Sequence, residues 1–267
     1  MIGRAIGRGF STARDCLAKV LIRWGVSPNT LTLTGMVLTA GAGVCYAIGT
    51  DREFGWCLNP SAAANAYLLL GGLLLVLSSA CDMLDGAVAR IGGLGSRFGA
   101  FLDSTLDRYG DFAVYAGIAM HYAWTSPANP TFVLLCMLAF FNAFMISYAR
   151  ARAEDLIESC SVGYWQRGER SAAILIATFA YNIPALVVQQ AFLPMLTVLR
   201  RVLYAKSVIE GKSPVTDPRK GGLTLAVRLW RWPRMTVPYD IVTGINIAWL
   251  IFARIPPPDV LRGWLGG

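Results

Sequence analysis

Charge is scarce in this chain: only 15% of its 267 residues are Asp, Glu, Lys or Arg, where soluble domains carry about a quarter. Hydrophobic residues make up 55%, and the mean hydropathy is +0.50. Such a balance argues against a water-soluble domain and for a chain that meets lipid. Metal-binding nitrogen and sulfur are also scarce. The single histidine, His121, sits in an apolar run and reads as a packed or interfacial side chain. The six cysteines are scattered with no Cys-x-x-Cys pair, which speaks against a zinc site or a disulfide framework and leaves room only for an isolated bridge. A cleavable signal peptide is not evident, because Arg14, Asp15, Lys19 and Arg23 break the first apolar stretch and no small-residue cleavage site follows. The net charge of +8, in an apolar chain, points to topology and anionic lipid rather than to nucleic acid.

What is present is a series of long uncharged runs. Residues 11–24 place Ala13, Cys16, Leu17, Val20, Leu21 and Trp24 at helical spacing, which predicts an amphipathic interfacial helix. Residues 27–50 are uncharged and long enough to span a bilayer; Asp51, Arg52 and Glu53 then mark a short loop. Residues 61–81 are uncharged again. A third run, 112–149, is broken by "SPANP" at 126–130, and a fourth, 171–199, by "NIP" at 182–184. The expectation is an all-α, polytopic membrane protein with about six spans. The basic residues fall on alternate ends, so the positive-inside rule predicts a cytoplasmic N-terminus. Domain organisation follows: a membrane domain over 1–210 and a C-terminal extension over 211–267. The extension holds a linker, a Trp- and Arg-rich interfacial segment, and a short apolar stretch at 241–253 that is either an extra or a re-entrant helix.

Four aspartates interrupt this apolar pattern in "DMLDGAVARIGGLGSRFGAFLDSTLD", residues 82–107. Asp82 and Asp85 are three apart and share one helix face; Asp103 and Asp107 are four apart and share a face of the next helix. The glycines between them suit a tight turn, so two antiparallel helices bring the carboxylates together. Hard oxygen donors without His or Cys favour magnesium or manganese over zinc. Gly86, Ala89 and Gly99 leave space beside the acids, and Arg90 and Arg97 are placed to meet phosphate. Solvated helix ends capped by aspartates would be the plain alternative, which two acidic pairs flanked by small residues make weak.

The pattern Asp82-x-x-Asp85-Gly86-x-x-Ala89-Arg90, eight residues, Gly99-x-x-x-Asp103-x-x-x-Asp107 resembles the signature of the CDP-alcohol phosphotransferases at all eight of its fixed positions. The resemblance covers roughly residues 10–210. It implies an integral membrane enzyme that joins an alcohol to a phosphatidyl or phospho-alcohol group and releases CMP. It further implies that Asp82, Asp85 and Asp103 bind two divalent cations (Mg2+, with Mn2+ possible) with Asp107 beside them, and that Asp107 is the general base. Gly86, Arg90 and Ser96 would contact the CDP moiety, and the "PNTLT" element (Asn29, Thr30, Leu31 and Thr32 after Pro28) would close over the nucleotide. A homodimer is expected on the same ground.

The acceptor alcohol is sought in a second cluster. Arg150, Arg152, Arg167, Arg170, Arg201 and Lys206 are expected to converge on one cytoplasmic cavity, where arginine forks suit a phosphate monoester. These segments resemble the bacterial phosphatidylinositol phosphate synthases, which implies that Ser147, Arg150, Arg167, Arg170 and Arg201 bind the phosphate of inositol 1-phosphate. The turn departs from that pattern, reading Gln-Arg-Gly-Glu-Arg where Glu-Arg-Pro-Glu-Arg is expected. The resulting expectation is transfer of phosphatidyl from CDP-diacylglycerol to inositol 1-phosphate, in a bacterial inner membrane with the site facing the cytoplasm. Glycerol 3-phosphate is the nearest alternative acceptor. An intramembrane prenyltransferase and a cation transporter are rivals of other classes.

Overall fold

The computed structural model describes residues 2–48, 66–125, 128–211, 237–253 and 255, with side chains from Ser11 onward apart from Pro238. The polar loop at 51–53 and the linker and Trp-rich segment at 212–236 lie outside the described residues. Among the described residues every element is a helix: α1 (Ile2–Arg23), α2 (Pro28–Ile48), α3 (Ala66–Ile91), α4 (Arg97–Trp124), α5 (Pro130–Glu154), α6 (Arg167–Phe179), α7 (Ile183–Ile209) and α8 (Val237–Phe252).

Helices α2, α3, α5 and α7 are long and apolar enough to cross a bilayer. Their outward side chains include Leu33, Val37, Leu70, Leu73, Met137 and Phe141, all exposed. Asn142, Gln189 and Gln190 are buried. An apolar outside and a hydrogen-bonded polar inside match lipid as the solvent. The breaks fall where proline and its neighbours predict them. α4 ends at Trp124 and α5 opens at Pro130, where the Asn129 side chain accepts from Phe132 N at 3.2 Å. α6 and α7 part at Asn182, and Pro184 lies in the first turn of α7.

The chain forms two compact units, one of residues 1–48 and 66–117, the other of 118–267 together with 49–65. In the first, α2 and α3 meet through small residues. Ser78 Oγ donates to Gly35 O at 2.9 Å and lies 2.7 Å from Thr39 Oγ1. Small and hydroxyl side chains let membrane helices approach closely. The approach of α2 to α4 is closer still, since a methyl on Gly43 would fall on the carbonyl of Ala113 and one on Gly117 on the carbonyl of Gly43. α1 packs Ala18 against Leu31, Leu84, Ala87 and Val88, with Leu21 and Ile22 alongside. The expected apolar face is therefore divided: Leu21 packs inward, while Cys16, Leu17 and Trp24 stay exposed.

In the second unit, Asn142 Nδ2 on α5 donates to Ala191 O on α7 at 2.7 Å. α8 has 16 residues, short of the roughly 20 a span requires. It docks through polar groups: Gln189 Nε2 to Asn246 Oδ1 at 2.9 Å, Trp249 Nε1 to Ala185 O at 3.0 Å, and Asn182 Nδ2 to Leu250 O and Ala253 O, each at 2.9 Å. His121 is buried with its ring edge-on to Tyr122.

Candidate metal centre and arginine cluster

The helix-turn-helix at α3 and α4 assembles the acids as their spacing predicts. Carboxylate oxygens of Asp82, Asp85 and Asp103 lie within 4.8 Å of one another. Gly93, at φ 62, and Gly95 belong to the turn between the two helices. Asp107 stands one turn after Asp103 on α4, half-buried and outside this three-residue cluster. At an effective dielectric of about 20, charges this close repel by roughly 3–4 kcal/mol per pair. A divalent cation removes that repulsion.

The donors fit such an ion. All are hard carboxylate oxygens, and ligands around one octahedral magnesium lie about 3–4 Å apart, compatible with the observed spread. Thr32 adds a supporting contact. Its Oγ1 donates to Asp85 Oδ2 at 2.8 Å and also reaches Pro28 O at 3.1 Å. A hydroxyl that holds one oxygen of a carboxylate orients the other, the usual task of residues behind a metal ligand. Asp85 is 8% exposed, so its ionised form needs this partner and a cation.

The remaining expected donor-site residues gather around the same turn. Ser27 Oγ accepts from Thr30 N at 3.2 Å and caps α2, which fixes the start of "PNTLT". Leu31 is buried in the α1–α3 core. Asn29 lies over the start of α4, where a methyl on Gly99 would stand 3.1 Å from its Oδ1. Ser96 Oγ accepts from Gly99 N at 2.9 Å. Arg90 folds back over Gly86, where a methyl would stand 3.2 Å from Nη1. The small residues in the pattern thus leave room for particular side chains.

The second unit holds the arginines. Arg170 and Arg201 are buried, at 2% and 3% exposure. Arg201 Nε donates to Val162 O at 3.1 Å and Nη1 to Ile146 O, so two carbonyls orient its guanidinium. Arg150 and Arg170 lie within electrostatic reach of it. Arg150 is exposed and pairs with Glu154 at 2.9 Å, while Arg152 pairs with Asp155 at 3.1 Å. Arg167 is the first residue of α6, and Ser147 Oγ turns back to Ala143 O at 3.4 Å. Glu154, which sequence reasoning passed over, also accepts from Cys160 N at 3.1 Å and so ties the loop after α5 to its helix. Its i,i+4 spacing from Arg150 was the available signal. Burial pushes the Cys160 thiol up, with Arg201 opposing and Glu154 reinforcing the shift.

Comparison with known proteins agrees with this geometry. The CDP-alcohol phosphatidyltransferase family model matches residues 25–208. An archaetidylinositol phosphate synthase of Pyrococcus horikoshii is 33% identical over 197 residues, covering 73% of this chain and 91% of its own. A phosphatidylinositol phosphate synthase of Streptomyces avermitilis is 37% identical over 173 residues, 63% of this chain and 62% of its own. Among solved structures, the phosphatidylinositol phosphate synthase of Mycobacterium tuberculosis with CDP-DAG bound superposes with a TM-score of 0.60 at 26% identity, over 72% of this chain and 92% of its own. The same enzyme in complex with manganese and citrate gives 0.60 at 26% identity, over 73% and 89%. A signature met at every fixed position, an acidic cluster suited to a divalent ion and a family match over most of its length agree: the chain belongs to the CDP-alcohol phosphatidyltransferases, metal-dependent transferases of the membrane.

Proposed function

We propose that this enzyme transfers the phosphatidyl group of CDP-diacylglycerol to inositol 1-phosphate, yielding phosphatidylinositol phosphate and CMP. The observation that carries the reaction class is the cluster of Asp82, Asp85 and Asp103 within 4.8 Å, steadied by Thr32. In this reading those aspartates hold two magnesium ions, with Asp107 beside them. Cations held there by Asp82, Asp85 and Asp103 would supply positive charge to offset the pyrophosphate and the departing CMP. Asp107 takes the proton of the acceptor hydroxyl. The hydroxyl oxygen forms a bond to the lipid-side phosphorus while the bond to the CMP oxygen breaks, and the electron pair leaves with CMP. Gly86, Arg90, Ser96 and the Asn29–Thr32 stretch contact the nucleotide.

For the acceptor, Ser147, Arg150, Arg167, Arg170 and Arg201 take the phosphate monoester. Two buried arginines support this, because a guanidinium held away from water binds a phosphate dianion through charge-assisted, bidentate hydrogen bonds. The relatives' names support it as well: those from bacteria and archaea differ in the lipid and agree on inositol phosphate. Residues 1–210 form the catalytic domain, in which the 28-residue α4 joins the four apolar helices, and 211–267 form an extension. The site faces the cytoplasm of a bacterial inner membrane, and the enzyme is a homodimer. Incubation with CDP-diacylglycerol, magnesium and labelled inositol 1-phosphate tests the reading. CMP release with labelled lipid is expected; diphosphate release from a prenyl donor, or no chemistry beyond cation movement, would assign another class.

A further inference from the structure

The first turn of α6 carries Arg167 and Arg170. Gln166 at its N-cap makes no side-chain capping hydrogen bond. The approach to it passes through Gly163 at φ 105, where a side chain would be strained and a methyl would land on Thr197. Besides local backbone contacts, the turn is held from two neighbouring helices. On the α7 side, Trp165 N donates to Thr197 Oγ1 at 3.1 Å. On the other side stands α8, which lies beyond the 25–208 span of the family model. There Tyr239 Oη donates to Glu169 Oε1 at 2.8 Å and Tyr164 Oη to Thr243 Oγ1 at 3.0 Å. The rings of Tyr164 and Tyr239 pack with centroids 5.3 Å apart. Burial pushes the Tyr164 hydroxyl up, so it remains a donor at neutral pH. These residues border a cavity of about 390 Å³ that Glu169 also lines.

Glu169 sits between two arginines in sequence, and a carboxylate there competes with a phosphate for them. A hydroxyl donor on the far side fixes that carboxylate toward α8. We infer that Tyr239 is a positioning residue. Through Glu169 it sets the first turn of α6, and with it the arginines that receive the acceptor phosphate. The inference rests on the acceptor site proposed above, and it gives the C-terminal extension a task in acceptor binding.

The test uses the full-length enzyme with CDP-diacylglycerol in mixed micelles and inositol 1-phosphate as the varied substrate. Tyr239→Phe deletes one hydroxyl and keeps the ring. It is expected to raise KM for inositol 1-phosphate about 3- to 10-fold, the range for one hydrogen bond. The kcat and the KM for CDP-diacylglycerol stay unchanged. In a Glu169→Ala background the same substitution has a clearly smaller effect, because the acceptor of its hydrogen bond is gone. An unchanged acceptor KM, effects that multiply in the double variant, or equal losses toward both substrates would overturn the inference. Arg170→Lys separates it from the reading beneath. If that variant leaves the acceptor KM untouched, both fall; if it raises KM while Tyr239→Phe does not, only the positioning role falls.

Discussion

At the residue scale the roles proposed for the aspartates follow their surroundings. Asp85 is buried and held by Thr32, whereas Asp107 stands half-exposed outside the cluster. Replacing Asp107 with Asn should therefore lower the rate of CMP release about 10²- to 10⁴-fold, the range for a positioned base, while divalent-ion affinity changes less. Thr32→Val should act differently. Loss of the hydrogen bond to Asp85 should raise the magnesium concentration for half-maximal activity about 10- to 100-fold, as read from a magnesium titration. The aspartates were legible because their helical spacing and the neighbouring Gly and Ala follow directly from the sequence. The role of Thr32 was less so: "PNTLT" marked it for the nucleotide, but a contact across 53 residues has no local signature.

At the scale of elements, helix breaks were readable and helix partners were not. Proline and asparagine at 129–130 and 182–184 end or open helices for reasons that act within a few residues. The length of α4, which runs unbroken from Arg97 through the acids to Trp124, was not foreseen, because its charged first half and apolar second half read as separate segments. Which helices touch depends on long-range packing, as Gly43 shows. Gly43→Ala places a methyl on the backbone of α4 and should cost about 1–3 kcal/mol, seen as a lower midpoint in detergent thermal unfolding. Gly41→Ala, whose methyl would meet only the Leu74 side chain at 3.4 Å, should leave that midpoint nearly unchanged. α8 was recognised as a short apolar stretch, but its docking through Asn182, Gln189 and Trp249 could not be read from composition.

At the scale of the whole molecule, the composition, the uncharged runs and the aspartate pattern pointed together to a membrane phosphatidyltransferase, and the helices and family match bear this out. The acceptor is the part that sequence specified least, because arginines in a membrane protein also serve topology. Burial of Arg170 and Arg201 separates those two from the exposed Arg150 and Arg152, which form surface pairs worth about 0.3–0.5 kcal/mol. Accordingly, Arg201→Gln should raise the acceptor KM at least tenfold, and Arg152→Gln should change it less than twofold. The most direct measurement of the central claim is a competition in which purified enzyme, CDP-diacylglycerol and magnesium meet inositol 1-phosphate, glycerol 3-phosphate and free inositol, each labelled separately. The account predicts that label enters lipid from inositol 1-phosphate with stoichiometric CMP. Incorporation from free inositol alone, or from glycerol 3-phosphate in preference, would contradict it.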